Sequence, residues 1–508
     1  MANPPLPDMI DVLDRTTGID ERPGLREFAR LWLAWAPGAR AEVAAEALAL
    51  ARPSGGPASL RAVGRTGTTI ARGVASSLRL DVRRRLAEGP LPPGVAVRQV
   101  QEVVKVGGPT YVKLGQFIST ARGLLPDEWV EAFAWCRDTV APLPTGVAER
   151  IIQDAFGVPL GMVLHDFDPV PLGAASIAQV HAARLPDGTD VVVKVRRPGL
   201  RRQLEGDLRA MALAAAAAER ISRHARLANV TGFVELFATL LLEEIDFRFE
   251  AVNQVELALA SEDSGHDFLT LPRPVPSLVS EDVLVMTRVP GVPYTRALAA
   301  FPDRVDGERL LRLAITGVLE HTLAYGVFHG DLHAGNVFIS PAGEFSIIDF
   351  GIAGRVDDDQ RAALFTFLYG FAQNDTVVQL EGLQRFGAVP RGQDLRALAG
   401  LIEDRLNAID PSLLARDQPM SVTMLGQALG AVIRVLTESG FSLPKELVLF
   451  FKNLLYLNGF AATLARDTNL FDEIPPIFAY FVERYPDELA SIIGGLATGE
   501  TAGTAAAD

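Results

Sequence analysis

Asp331, Asn336 and Asp349 carry oxygen ligands at a spacing that one hairpin would gather: five residues separate the first pair and thirteen the second. A carboxylate, an amide oxygen and a second carboxylate are hard donors, and with room for water and phosphate they suit Mg²⁺. The hairpin is legible too. Short apolar runs at Val337–Ile339 and 345–348 flank a turn containing Pro341 and Gly343. Asp331 and Asn336 then sit in the loop entering the first strand, and the second strand returns Asp349 to the neighbourhood of Asn336. Two other readings stand beside this one. One is a polar turn between buried strands. The other is a metal site from His329, Asp331 and His333, which would share a face of an extended segment; it leaves Asn336 and Asp349 without a role.

An Asp, then an Asn, then an Asp-Phe-Gly triplet (Asp349, Phe350, Gly351) is the order used by protein kinases. The pattern continues upstream. Gly173, Ala174, Ala175, Ser176, Ile177 and Ala178 form a small-residue loop that runs through Gln179 and His181 into a strand. Pro186, Asp187 and Gly188 make a turn, and a second strand carries Lys194 among valines. Loop, hairpin and strand lysine are the parts of a nucleotide lobe, in which the loop covers phosphates and Lys194 pairs with them. Taken alone, a lysine in such a strand is a snorkelling edge residue. The loop is rich in Ala rather than Gly, and each Cβ limits how closely its backbone approaches phosphate, so its nucleotide grip should differ. Residues 283–286 read as a strand ending on the nucleotide-facing Met286, and 287–291 as a hinge. Gly330 stands where many kinases carry an arginine that reads a phosphorylated activation loop. No Ala-Pro-Glu follows Asp349, and a helical run begins near Gln360. The usual docking platform for peptides is missing.

The surrounding chain sets limits. Its 508 residues and 48% apolar content allow two or three domains with substantial cores. A net charge of −14 argues against nucleic acid as a partner. The single cysteine, Cys136, excludes an intramolecular disulfide and suits a reducing cytosol. Residues 1–14 carry prolines and acids rather than the features of a secretory signal. No uncharged apolar segment reaches the roughly 18 residues that span a bilayer; the nearest, 447–465, is split by Lys452 and reads as a core helix.

Residues 1–95 read as helical and loosely attached, with Phe28, Leu31, Trp32 and Trp35 as a packing face and 53–57 as a linker. Between residues 60 and 86 the charges are nearly all arginine, and Ile70, Val74 and Leu78 fall on one stripe. That is a helix packed on its own protein or, as the second reading, one lying on anionic lipid. Pro90, Pro92 and Pro93 mark a boundary. Gly107 and Gly108 precede a helix opened by Pro109. On it Lys113 and Gln116 share a face, and Gly115 permits close approach of another surface. Glu243, Glu244, Asp246 and Glu250 crowd what reads as one helix, with Glu244 and Glu250 about 120° apart. Their neighbours Ile245, Phe247 and Phe249 make the segment half buried, so the acids need cations: Lys194 for Glu250, Lys113 for Glu244. Residues 360–485 read as helical and 494–508 as a disordered tail.

Together these residues resemble the UbiB/AarF family of atypical kinases, relatives of the mitochondrial ADCK proteins, over roughly residues 97–470. The family's KxGQ motif matches Lys113-Leu-Gly115-Gln116, its alanine-rich loop matches 174–181, and its ExD motif matches Glu244-Ile-Asp246. The strand lysine and its helix glutamate fall on Lys194 and Glu250. The catalytic and metal residues fall on Asp331, Asn336 and Asp349. The resemblance implies a KxGQ extension that folds over the active site, contacts the ExD glutamate and blocks protein substrates. It also implies ATPase or small-molecule kinase activity in support of isoprenoid-quinone metabolism or lipid homeostasis. Gly173 stands where alanine is common and Thr287 where an acid is frequent. Family members often end in transmembrane helices; none is expected in this sequence, so membrane contact would be peripheral.

The expected architecture is α+β, a two-lobed protein-kinase-like fold with a helical N-terminal extension. Its parts are a helical region at 1–95, the KxGQ extension at 96–165, a nucleotide lobe at 166–290, a helical lobe at 291–490 and a tail at 491–508. Asp331, Lys194 and Glu250 form the expected catalytic set, and Lys113, Gln116, Glu244 and Asp246 a regulatory one. ATP or ADP would be held by 173–178, Lys194 and Met286, with Mg²⁺ on Asn336 and Asp349. The expected partner is a lipid or isoprenoid small molecule, in a cytoplasmic protein. From another class, the alternative is a nucleotide-switched scaffold.

Overall fold

The computed structural model describes residues 5–21, 23–52, 95–120, 127–137, 141–221, 226, 229–410, 422–441, 443–466, 468 and 470–486. The linker at 53–57, the basic stretch at 60–86, the prolines at 90–93 and the tail at 494–508 lie outside them. Eleven strands are described: β1 (Gly173–Ala174), β2 (Ala178–Arg184), β3 (Asp190–Arg196), β4 (Leu269–Thr270), β5 (Pro274–Val279), β6 (Val283–Thr287), β7 (Val292–Pro293), β8 (Val327–His329), β9 (Val337–Ile339), β10 (Phe345–Ile347) and β11 (Ala353–Arg355).

Period-two alternation builds the first sheet. Its order is β1-β2-β3-β6-β5, all antiparallel, with Lys194 opposite Val180 on one side and Leu284 on the other. Val191, Val193 and Val195 bury one face of β3 with Ala148 and Ile152 of the Val147–Phe156 helix. Successive side chains of a strand alternate in direction, so Lys194 points to the other face. That face meets the Phe247–Asp263 helix, through Ala178, Leu284 and Met286 against Phe247 and Ala251.

β9 and β10 form the expected hairpin, with Ile347 opposite Val337. They belong to a four-stranded sheet, β4-β10-β9-β7, in which β4 and β10 are parallel. β8 and β11 pair antiparallel just before and just after the hairpin. A helical core follows, joining Leu364, Phe367, Leu383, Ile402, Leu429, Phe450 and Phe451. Aspartates start its helices: Asp357, Asp375 and Asp394 each accept a first-turn N–H, satisfying donors that no helix can satisfy itself. The Lys445–Leu464 helix is long and apolar enough to cross a bilayer by length and composition, but most of it is buried within the protein. The whole is mostly helical, with small sheets flanked by helices, consistent with a kinase-like fold.

Two expectations need correction. The acidic segment is not one helix: Val230–Glu244 ends at Ile245 and a new helix runs from Phe247. Asp246 is extended (φ −115°) and caps the second helix by accepting from Arg248 N, so the 120° relation between Glu244 and Glu250 does not apply. Nor are the described residues of the N-terminal region, up to 52, loosely attached. In the Leu25–Ala51 helix, Trp35 stacks on Phe249 with centroids 5.1 Å apart, and Arg40 reaches Glu256 and Asn253. Its buried stripe is Leu25, Ala29, Leu33 and Ala36, whereas Leu31 is 65% exposed.

Candidate active site

Lys194 Nζ lies 2.8 Å from Glu250 Oε2 and 2.8 Å from Asp349 Oδ1. The β3 strand presents the lysine, the Phe247–Asp263 helix presents the glutamate, and the turn after β10 presents the aspartate. Burial works against the charge on Lys194, but Asp349 and Glu250 outweigh it and hold the ammonium above its usual pKa. Burial pushes Glu250 up to about 7 even with Lys194 beside it. Partial desolvation opposes the charge on Asp349, yet Lys194, and Lys113 beyond it, keep that carboxyl well below the usual carboxylate range.

Asp349 sits at φ +62°, a left-handed conformation uncommon for an L residue. Its neighbours hold it there. Phe350 is buried edge-on to His329, and Asn253 Nδ2 donates to Phe350 O at 2.7 Å. A Cβ at Gly351 would come within 3.2 Å of Glu244 Cγ, so the triplet's glycine makes room for the ExD glutamate.

Asp331 lies in the loop between β8 and β9. Its Oδ1 accepts from Lys452 Nζ at 2.8 Å and from the Tyr456 hydroxyl at 2.9 Å. Burial would raise its pKa, but Lys452 leads the opposing charges and brings it down to about 2. Asn336 Nδ2 donates to Asp331 O at 2.9 Å, and Ile348 N donates to Asn336 O at 2.9 Å. The hairpin thus ties the residue preceding Asp349 to Asn336. The rival set of His329, Asp331 and His333 does not assemble. Each imidazole turns Nδ1 back onto its own loop, His329 to Asp331 N and His333 to Gly335 N. Among the described residues no three His, Cys, Asp or Glu side chains could hold a metal.

The Pro109–Thr120 helix lies against this arrangement. Lys113 Nζ pairs with Glu244 Oε1. Gln116 bridges two segments, donating to Cys136 O at 3.0 Å and accepting from Ser176 Oγ at 3.3 Å. Gly115 packs on Cys136, whose sulfur a Cβ would strike. Asp246 does not face this helix; its carboxylate forks onto Arg248 Nε and Nη2. Within the alanine-rich loop, Ala175 O accepts from Arg197, and Ile177 is buried with Leu200 and Leu204. A Cβ at Gly173 would meet nothing within 4 Å, so packing does not require glycine there. Met286 is buried, with Gln254 Nε2 3.0 Å from its sulfur, and Thr287 Oγ1 accepts from Arg273 N. At Gly330 a Cβ would lie 2.6 Å from Ile352 Cγ2, so no larger side chain fits without moving that residue. After Gly351 the chain passes straight through β11 into the Asp358–Ala372 helix.

Sequence reasoning missed several of these partners. Lys452 and Tyr456 come from a helix more than a hundred residues after Asp331; the available signal was a lysine inside an otherwise apolar run. Arg40 and Arg355 converge on Glu256 and Asn253, bracing the Glu250 helix against the segment after Gly351.

The family described as the ABC1 atypical kinase-like domain matches residues 136–381. The chain is 32% identical over 390 residues to an uncharacterized aarF domain-containing protein kinase of Arabidopsis thaliana, described as chloroplastic, covering 72% of this chain and 71% of that one. It is 30% identical over 390 residues to the probable protein kinase UbiB of Pseudomonas aeruginosa, covering 76% and 70%. A solved chain described as the complex structure of Rv3197–erythromycin from Mycobacterium tuberculosis has a TM-score of 0.46 at 21% identity, over 76% of this chain and 98% of that one, a likeness too distant to carry an argument. Similarity of that extent to the two sequence relatives, together with the matched domain, means that the chain belongs to the UbiB/AarF family of ABC1 atypical kinase-like proteins.

Proposed function

We propose that this protein binds ATP with Mg²⁺ and acts as an atypical kinase or ATPase on a small molecule or lipid, in isoprenoid-quinone or lipid metabolism. The observation that carries the reading is the lysine bridged between Glu250 and Asp349, since a cation held in that position can pair with nucleotide phosphates. The donor set fits Mg²⁺: Asn336 commits its amide nitrogen to Asp331 O, leaving an oxygen as its ligand atom, and the Asp349 side chain is 45% exposed. Bound by Asn336 and Asp349, the ion would neutralise charge on the phosphates. The alanine-rich loop would cover them.

Asp331 is held ionised at neutral pH, Lys452 leading the charges that outweigh its burial. Its role is to orient an acceptor hydroxyl or water. Small acceptors are favoured because the Lys113–Glu244 pair holds the Pro109–Thr120 helix over the site and no long segment after Asp349 offers a peptide platform. We place the protein in the cytoplasm, with any membrane contact peripheral. Steady-state ATP turnover, with and without anionic lipid vesicles, tests the reading. Asp331→Asn should keep nucleotide binding and lose roughly 10²–10⁴-fold in turnover. If the variant binds and turns over like wild type, the nucleotide-switched scaffold replaces the enzyme.

A further inference from the structure

Beyond its first turn, the Lys445–Leu464 helix carries one charged side chain, Lys452. That side chain is only 4% exposed, on a helix whose Phe450, Phe451 and Leu454 are also buried. A buried ammonium is costly to desolvate, and an apolar residue of similar volume is often as stable or more so. The partner of this lysine is Asp331 Oδ1, at 2.8 Å. Tyr456 stands four residues on, on the same helical face, and donates to the same oxygen at 2.9 Å. The ammonium also lies 5.5 Å from the centre of the Tyr456 ring. Between them in sequence, Asn453 Nδ2 donates to His329 O, fixing the strand that leads into Asp331. Within the loop from His329 to Asn336 the only basic groups are two imidazoles. The cation on Asp331 therefore arrives from outside the loop, and from beyond the matched domain at 136–381.

We propose that Lys452 and Tyr456 are positioning residues for phosphoryl transfer: together they clamp one oxygen of Asp331 and so fix the direction in which its carboxylate meets the acceptor. This rests on the function proposed above, which gives Asp331 the acceptor's hydroxyl. Orientation of this kind is worth much in rate, since a displacement of about 1 Å can cost on the order of 10²-fold. It is worth little in nucleotide affinity, because neither side chain is among the residues assigned to phosphate or metal.

The test is steady-state ATP hydrolysis by the full chain, with nucleotide affinity and urea unfolding measured alongside. Tyr456→Phe keeps the ring and removes one O–H; it should lower kcat about tenfold with KM for ATP and the unfolding midpoint near wild type. Lys452→Met should lower kcat by on the order of 10²-fold with nucleotide affinity retained. In an Asp331→Asn background, neither substitution should lower kcat further, because groups acting through one carboxylate are not additive. Tyr456→Phe carries the test where Lys452→Met does not fold. The proposal is overturned if Asp331→Asn abolishes turnover while both helix variants stay within about twofold of wild-type kcat, or lose only stability. Wild-type turnover in Asp331→Asn would instead remove the function on which it rests.

Discussion

Lys194 holds two carboxylates at once, and each comes from a different element; the site exists because a strand, a helix and the turn after β10 agree on one point. At this scale much was legible. Lys194, Glu250, Asp331, Asn336 and Asp349 are residue types whose chemistry is recognisable at fixed spacing. Lys452 was not, since nothing in the sequence says which acid a buried lysine will meet across 121 residues (452 less 331). Gly330 shows the reverse case, an absence with a structural cause. Its contact with Ile352 predicts that Gly330→Ala will cost about 1–3 kcal/mol by overpacking, and that Gly330→Arg will cost more. Urea unfolding checks this; a neutral Gly330→Arg would show that the loop yields freely.

Between elements, the decisive contact is Lys113 with Glu244, joining the Pro109–Thr120 helix to the end of Val230–Glu244. Both side chains are mostly buried, 21% and 13% exposed. A double-mutant cycle with Lys113→Ala and Glu244→Ala should therefore give a coupling of about 0.5–3 kcal/mol. Additive effects would mean that the helix is held by packing alone. The partners of both acids could be anticipated, but not the path of the chain between them. Glu-Glu-Ile-Asp-Phe-Arg-Phe-Glu contains no glycine or proline and reads as continuous helix, yet Asp246 can serve as a cap as well as a helix residue, and tertiary packing chose the cap. The Leu25–Ala51 helix has the same ambiguity. Phe28, Leu31, Trp32 and Trp35 recur as regularly as Leu25, Ala29, Leu33 and Ala36; the partner surface buries the second stripe, takes Trp32 and Trp35 at its edge and leaves Phe28 and Leu31 exposed.

For the molecule as a whole, a buried histidine gives stability a pH dependence. Burial, assisted by nearby His266, pushes His321 down to about 3. The unfolded chain takes up that proton near pH 6.5 and the native state does not. This contribution is fully present above pH 6.5 and is lost as pH falls towards 3, at about 1.4 kcal/mol per pH unit while only the unfolded state is protonated. His321→Gln should flatten urea-derived stability in that window; an unchanged slope would mean that other groups dominate acid unfolding. The helical character of the described residues between 360 and 485 was readable from sequence, whereas the parallel pairing of β4 with β10 joins segments some 75 residues apart and leaves no local trace.

The central claim is that the side chains gathered around Lys194 form a Mg²⁺-dependent nucleotide site. A thermal-shift titration of wild type and Asp349→Asn with ATP, in the presence and absence of Mg²⁺, tests it most directly. A ligand at about 100 times its Kd stabilises the state that binds it by about 2.7 kcal/mol. Wild type should show that rise in Tm with Mg²⁺ present and a smaller one without it, and Asp349→Asn should lose the Mg²⁺-dependent part. An undiminished Mg²⁺·ATP shift in Asp349→Asn would contradict the account.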